Sequence, residues 1–384
     1  MLCPKTREIP AWCHFHLERR LLLSTGHALH LLANAFSRLE NLRVVGLHNR
    51  EIKRSQRDGE DKAQRGYGWS MPGVNPRRGR PLVAGPRCSF RHSRPPDPIL
   101  PLVLHALTRA GARPRSIEVD SLKNLSATCL SITFGPLAQS ILSAMSELRV
   151  LRLSLRNQRM IDNVHGAEKY SLYGLQPILQ RTPLLEYLRL DFGLNELEAP
   201  KEFLSWLSLR SNPTIRLPAI VRLEYLATLE LGMLTLPSQT LLNLVSKFPS
   251  LTTLVYRTVT LEDDSTATAS SIWPSFLLDL AHQYEFRGAR SMASLSICNP
   301  GYKHLHSSSS RRVYFVTSDL RGRSGMRRSR DRMREVLYCK LSDGDFCVWL
   351  RDLACRTGVE DANDYMLSPG LTYVSFDSSS DIDA

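Results

Sequence analysis

Three apolar residues spaced as L-x-x-L-x-L recur along this chain, and that recurrence limits the possible folds more than any other feature. Leu185, Leu188 and Leu190 form the clearest copy. Leu148/Leu151/Leu153, Leu226/Leu229/Leu231 and Leu251/Leu254/Tyr256 repeat the spacing, and Leu42/Val45/Leu47 and Met292/Leu295/Ile297 repeat it with conservative replacements. Pro114/Ile117/Val119 is a weaker copy. The last two apolar positions lie two residues apart, so on a strand they point to the same side, and the first tucks beneath them. One such unit cannot bury its apolar side alone. Copies must therefore stack, each covering the next.

Between copies the apolar period lengthens to that of a helix. Helices are expected near Ile99 to Leu107, Pro136 to Met145, Gly174 to Gln180, Lys201 to Leu207, Ser238 to Phe248 and Ser275 to Tyr284, each preceding the strand of the following copy. The first positions at 148, 185, 226, 251 and 292 are 37, 41, 25 and 41 residues apart, against about 20 to 29 in regular leucine-rich repeats. The predicted fold is α/β: an irregular leucine-rich-repeat solenoid, a horseshoe with short parallel strands on its concave face and helices on its convex face.

This pattern divides the chain. Residues 1–29 read as an N-terminal helical segment, with Leu17, Leu21, Leu22, Ala28 and Leu29 near helical spacing, and 30–300 as the solenoid. The solenoid is interrupted at 51–98 by a basic insertion whose glycines and prolines break any regular element, so it is expected to be disordered. Residues 301–335, rich in serine and arginine, read as a linker, and 336–375 as a candidate helical cap built on Phe346, Trp349, Leu350 and Leu353. An acidic tail fills 376–384. Within it Ser378 and Ser380 each precede an aspartate by three residues, the pattern of acid-directed phosphorylation.

A net charge of +13 invites a nucleic-acid reading, but its distribution argues against one. Residues 50–94 hold 12 basic and 4 acidic side chains, and 311–334 hold 9 and 2. Those two segments exceed the whole chain's excess, which leaves the repeat region close to neutral, so nucleic acid is not an expected partner. Eight cysteines occur without a C-x-x-C pair and suggest reduced thiols. Cys13, His14 and His16 form a compact group that lacks further ligands at zinc spacing. No run of apolar residues reaches membrane-spanning length, and the expected location is cytoplasmic or nuclear. No phosphate-cradling glycine loop, G-x-S-x-G elbow or H-E-x-x-H pair is present. The expectation is a protein that binds rather than catalyses, with no cofactor and no metal.

In such a stack the residues between the leucines point into the concave face. Arginine and tyrosine are enriched among interface anchors, which singles out Arg152, Tyr187, Arg189 and Tyr225, with Glu186 and Glu230 beside them. Arg152 and Arg189 occupy the same position in their copies, which predicts one continuous ridge.

The stretches 32–47, 148–155, 184–192 and 229–232 resemble the repeat region of fungal F-box and leucine-rich-repeat proteins. The resemblance spans about residues 30–300. It implies a substrate receptor for ubiquitin-dependent degradation, in which an F-box docks on a Skp-type adaptor and a cullin while the repeats hold an as yet unidentified protein substrate. No F-box phrase is recognisable here, since Ile9-Pro10-Ala11-Trp12 leads into Cys13-His14-Phe15-His16. The alternatives are a stand-alone leucine-rich-repeat scaffold or inactive paralogue without a ligase link, and a nucleic-acid binder using the two basic arms.

Overall fold

The computed structural model describes residues 25–49, 99–121, 125–126, 130, 133, 137–156, 172–192, 198–209, 221–263, 272–287, 292–304, 311–316, 332–333, 335–339 and 345–359. The 51–98 insertion, the acidic tail, most of the 1–29 segment and the Cys13/His14/His16 group lie outside them. The chain forms two compact units, one of Met1–Leu234 with Asn243–Leu254, the other of Thr235–Leu242 with Val255–Ala384. The α/β class is as expected, a mostly parallel sheet alternating with helices.

In the first unit, helix α1 (His27–Ser37) leads to strand β1 (Val44–Asn49), and α2 (Ile99–Ala110) leads to β2 (Ser116–Ser121) and the short β3 (Leu125–Ser126). Helix α3 (Ala138–Ala144) precedes β4 (Val150–Arg156), α4 (Leu175–Gln180) precedes β5 (Tyr187–Phe192), and α5 (Glu198–Ser208) precedes β6 (Thr228–Pro237). The main ladder runs β1-β2-β4-β5-β6, in chain order and parallel throughout. Chain-order neighbours joined by helices are what the alternating pattern requires, because parallel strands need a crossover between them.

The apolar spacing sets the register. Val45 pairs with Ile117, Ile117 with Leu151, Leu151 with Leu188 and Leu188 with Leu229. The last apolar position follows in the same order, Leu47, Val119, Leu153, Leu190 and Leu231. Leu148, Leu151, Leu153, Leu185, Leu188, Leu190, Leu226, Leu229 and Leu231 are all at most 2% exposed. At about 1.5–3 kcal/mol for each leucine withdrawn from water, a slip by one residue would expose the strand leucines at 151, 153, 188, 190, 229 and 231.

Two backbone contacts recur with the apolar pattern. The N–H of the first apolar residue bonds to the carbonyl three residues back at Leu42, Leu148, Leu185, Leu226 and Leu251. The carbonyl of the next residue then accepts two successive N–H groups from the following copy: Arg43 from Arg115 and Ser116, Arg115 from Arg149 and Val150, Arg149 from Glu186 and Tyr187, Glu186 from Ala227 and Thr228, Ala227 from Thr252 and Thr253. These bonds lie between 2.8 and 3.0 Å. Copies from 25 to more than 60 residues apart in sequence thus share one local geometry.

In the second unit, β7 (Thr253–Asp263) is followed by α7 (Ile272–Arg287), β8 (Ser294–Cys298) and β9 (Gly301–His304). β7 and β9 pair in parallel. Gly301 passes so close to β7 that an added Cβ would lie 2.5 Å from Thr260 Oγ1, and its carbonyl accepts the Trp273 indole N–H at 2.7 Å. The linker expected at 301–335 is instead partly strand, because β9, β10 (Arg311–Val316) and β11 (Arg332–Met333) all fall within it. Val313 and Phe315, at most 1% exposed, alternate with Arg312 and Tyr314, and this short two-residue period lies hidden between the serine and arginine runs. β12 (Glu335–Cys339) pairs antiparallel with β8, and β13 (Thr357–Val359) with β10, so this unit departs from the all-parallel expectation. The helix expected on Phe346 is α8 (Phe346–Cys355), capped by Asp345, whose carboxylate accepts the N–H groups of Cys347 and Val348. It packs on α7, and an Arg351–Glu285 ion pair joins the two.

Candidate protein-binding face

Side chains alternate across a strand, so the residues between the buried leucines share the opposite face of the first unit's ladder. At its middle position the register aligns Gly46, Glu118, Arg152, Arg189 and Glu230. The ridge predicted from Arg152 and Arg189 is therefore present as direct cross-strand neighbours. Like charges placed opposite each other repel, and the surrounding residues offset that repulsion.

Arg189 is held by Asp191, two residues on and on the same face, with Nε at 2.7 Å and Nη2 at 2.6 Å from Oδ2. Its Nε also lies 3.8 Å from Glu230 Oε2. Burial works against the Arg189 charge, but Asp191 and then Glu230 outweigh it and hold the guanidinium above its ordinary pKa. Arg152 reaches the other way, with Nη1 3.4 Å from Glu118 Oε2, while Glu118 Oε1 accepts the Ser116 hydroxyl at 3.0 Å. The Arg152 guanidinium also lies over the Tyr187 ring, 4.6 Å from its centroid.

The Tyr187 hydroxyl donates to Glu230 Oε1. Burial first, then this hydrogen bond and the Glu230 charge, push the phenol up to about 12, so it remains a donor across the physiological range. Glu230 is itself buried. Four of the six expected residues, Arg152, Tyr187, Arg189 and Glu230, thus form one network. Glu186 does not join it: at the strand entry it pairs with Arg149 at 2.6 Å, both side chains nearly half exposed. Tyr225 stands 59% exposed in the turn before Leu226 and outside the network.

Glu118 escaped the sequence reading, and Asp191 is not among its candidate anchors. Glu118 lies between Ile117 and Val119 as Arg152 lies between Leu151 and Leu153, but proline at the first position made that copy look weak. Asp191 was visible as the residue two beyond Arg189, a spacing that returns to the same face of a strand. Among the described residues no group of three or more His, Cys, Asp or Glu side chains could hold a metal ion, and no helix is long and apolar enough to cross a membrane. Cys298, Cys347 and Cys355 are free thiols. A scan against protein-family models and a search of curated proteins return no match.

Proposed function

We propose that the stacked copies form an irregular leucine-rich-repeat solenoid and that the chain is a protein-binding module, acting as the substrate receptor of an F-box-type ubiquitin ligase. The binding part rests on one observation, the part-exposed row Glu118, Arg152 and Arg189, continued in register by the buried Glu230 and flanked by Tyr187, on a parallel ladder. A rigid strip of arginine and tyrosine loses little side-chain entropy on binding, which is why these residues dominate interface energetics. The ligase part rests on the resemblance of the repeat stretches.

Affinity purification of the tagged full chain from a native extract of its source tests both parts. The expected result is a Skp-type adaptor, a cullin and a substrate protein identified by mass, with Arg152→Glu losing the substrate and keeping the adaptor. An extract that yields no adaptor sinks the ligase role and leaves a stand-alone scaffold. A substrate retained equally by Arg152→Glu removes the face from the binding site.

A further inference from the structure

Arg152 and Arg189 occupy the same register position on adjacent strands, yet their hydrogen bonding differs. Arg189 gives two N–H groups to Asp191 and has Glu230 within reach. Arg152 has one contact of 3.4 Å, through one terminal nitrogen, to a carboxylate that also serves Ser116. Its Nε is buried and has no hydrogen-bond partner among the described residues. A guanidinium carries five donors in a planar fork that matches a carboxylate with two parallel bonds, and Arg152 leaves most of that fork unused.

The side chain is nonetheless held in place. Its plane rests on Tyr187, which favours a cation over the ring face. Tyr187 is fixed in turn by Glu230 through its hydroxyl. The three carboxylates of the network lie deeper than Arg152: its side chain is 40% exposed, against 22% for Glu118, 13% for Asp191 and 11% for Glu230. The charge turned to solvent at the centre of the row is therefore positive, although the five charged groups together sum to −1.

We infer that Arg152 is the anchor of this face and takes a carboxylate from an acidic segment of the bound protein, with Tyr187 and Glu230 as positioning residues. This rests on the protein-binding reading above and specifies its partner. Arg189 is assigned a structural role, because two of its N–H groups are given to Asp191 and Glu230 also lies within reach.

The test uses the full chain and three fluorescein-labelled decapeptides in which serine alternates with glutamate, glutamine or lysine, read by fluorescence anisotropy. The glutamate peptide should bind about tenfold or more tighter than the other two, the scale of a charge-assisted bidentate contact, and the preference should weaken with salt. Arg152→Ala should erase it, and Arg152→Lys, which keeps a cation beside Glu118 and so protects the fold, should lose most of it. Arg113→Ala, which breaks an exposed ion pair with Glu147 away from the row, should leave it intact. A glutamate preference unchanged in both Arg152 variants overturns the inference, as does tighter binding of the lysine peptide. If no peptide binds, a photo-crosslinker in place of Val150, on the same face, separates the two failures in native extract. A partner captured there equally by the parent chain and by Arg152→Ala sinks the anchor and spares the binding face; no capture sinks both.

Discussion

Strands β4 and β5 stay straight where β6, β7 and the chain just past β8 turn through a left-handed residue, and the difference falls at one position of the repeat. Two residues beyond the last apolar position stand Leu155 and Phe192 in the straight copies, both at most 1% exposed. The same position in the copies at 226, 251 and 292 holds Met233, Thr258 and Asn299, with φ of 54°, 55° and 49°. These are the positive-φ residues other than glycine among those described. In the straight copies the two-residue alternation runs on, burying Leu151, Leu153 and Leu155, and Leu188, Leu190 and Phe192. In the bent copies one residue turns out of the alternation and the phase restarts, with Leu234 and Leu236 buried after Met233, and Val259 and Leu261 after Thr258. A left-handed residue inserted this way acts as a bulge, adding one residue and re-aiming the chain beyond it. Within the described residues the same apolar repeat thus continues in two ways, one in unbroken alternation and one in a shifted phase.

The largest test of this contrast truncates the side chain at that shared position. Phe192→Ala removes a fully buried ring and should cost about 3–5 kcal/mol, whereas Met233→Ala, at a position 41% exposed, should cost no more than about 0.5 kcal/mol. Urea unfolding of the two variants beside the parent chain measures both. Similar losses would mean that the copies continue alike and that the two continuations are not distinct.

Much of this architecture is legible in the sequence. Seven L-x-x-L-x-L copies locate the strands, and because each apolar residue must meet its counterpart, they also determine the register. The bend is only half legible. The restarted phase can be read from Leu229, Leu231, Leu234 and Leu236, whose spacing jumps from two to three. The backbone strain cannot, because threonine at 258 is β-branched and among the residues least suited to positive φ. The network on the outer face is legible as positions and hidden as partners: nothing local shows that Tyr187 would give its hydroxyl to Glu230, 43 residues away, or that Arg189 would take Asp191 while Arg152 rests on Tyr187. Such pairings depend on side-chain direction across three strands. The strands within 301–335 were hidden for another reason, since composition there is dominated by serine and arginine and the apolar alternation covers a few residues.

A smaller effect sharpens the comparison among the bent copies themselves. Asparagine tolerates the left-handed region and threonine does not, so Thr258→Asn should stabilise the chain by about 0.5–1 kcal/mol and Asn299→Thr should destabilise it by about the same amount. The opposite signs matter more than the sizes, because loss of a side-chain contact would make both substitutions unfavourable. Calorimetric melting of the pair reads the sign directly. Two losses would show that the positive φ is not what these positions share.

The smallest expected effect uses pH, since the straight and bent copies carry perturbed groups of opposite sign. Lys247 lies in α6 (Ser238–Lys247), the helix that follows the bent strand β6; its Nζ donates to the Leu207 carbonyl at 2.7 Å near the end of α5, and burial lowers its pKa from 10.5 to about 8. Below pH 8 both folded and unfolded chains hold that proton and the burial penalty is complete. Between 8 and 10.5 the unfolded chain keeps the proton while the folded chain releases it, so this group makes stability rise with pH. Tyr187, in straight β5, moves the other way, from 10.0 to about 12. Its contribution is fully present below pH 10 and is lost between 10 and 12, as the unfolded phenol ionises first. The urea midpoint should therefore climb from about pH 8 toward 10 and then fall. Lys247→Met should flatten the rise and leave the fall, and Tyr187→Phe should do the reverse. Both groups are partly open to solvent, which screens the effect and makes it modest. A rise that persists in Lys247→Met would show that its ammonium is not held away from water at the end of α5, and a fall that persists in Tyr187→Phe would show that the Glu230 hydrogen bond does not hold the phenol.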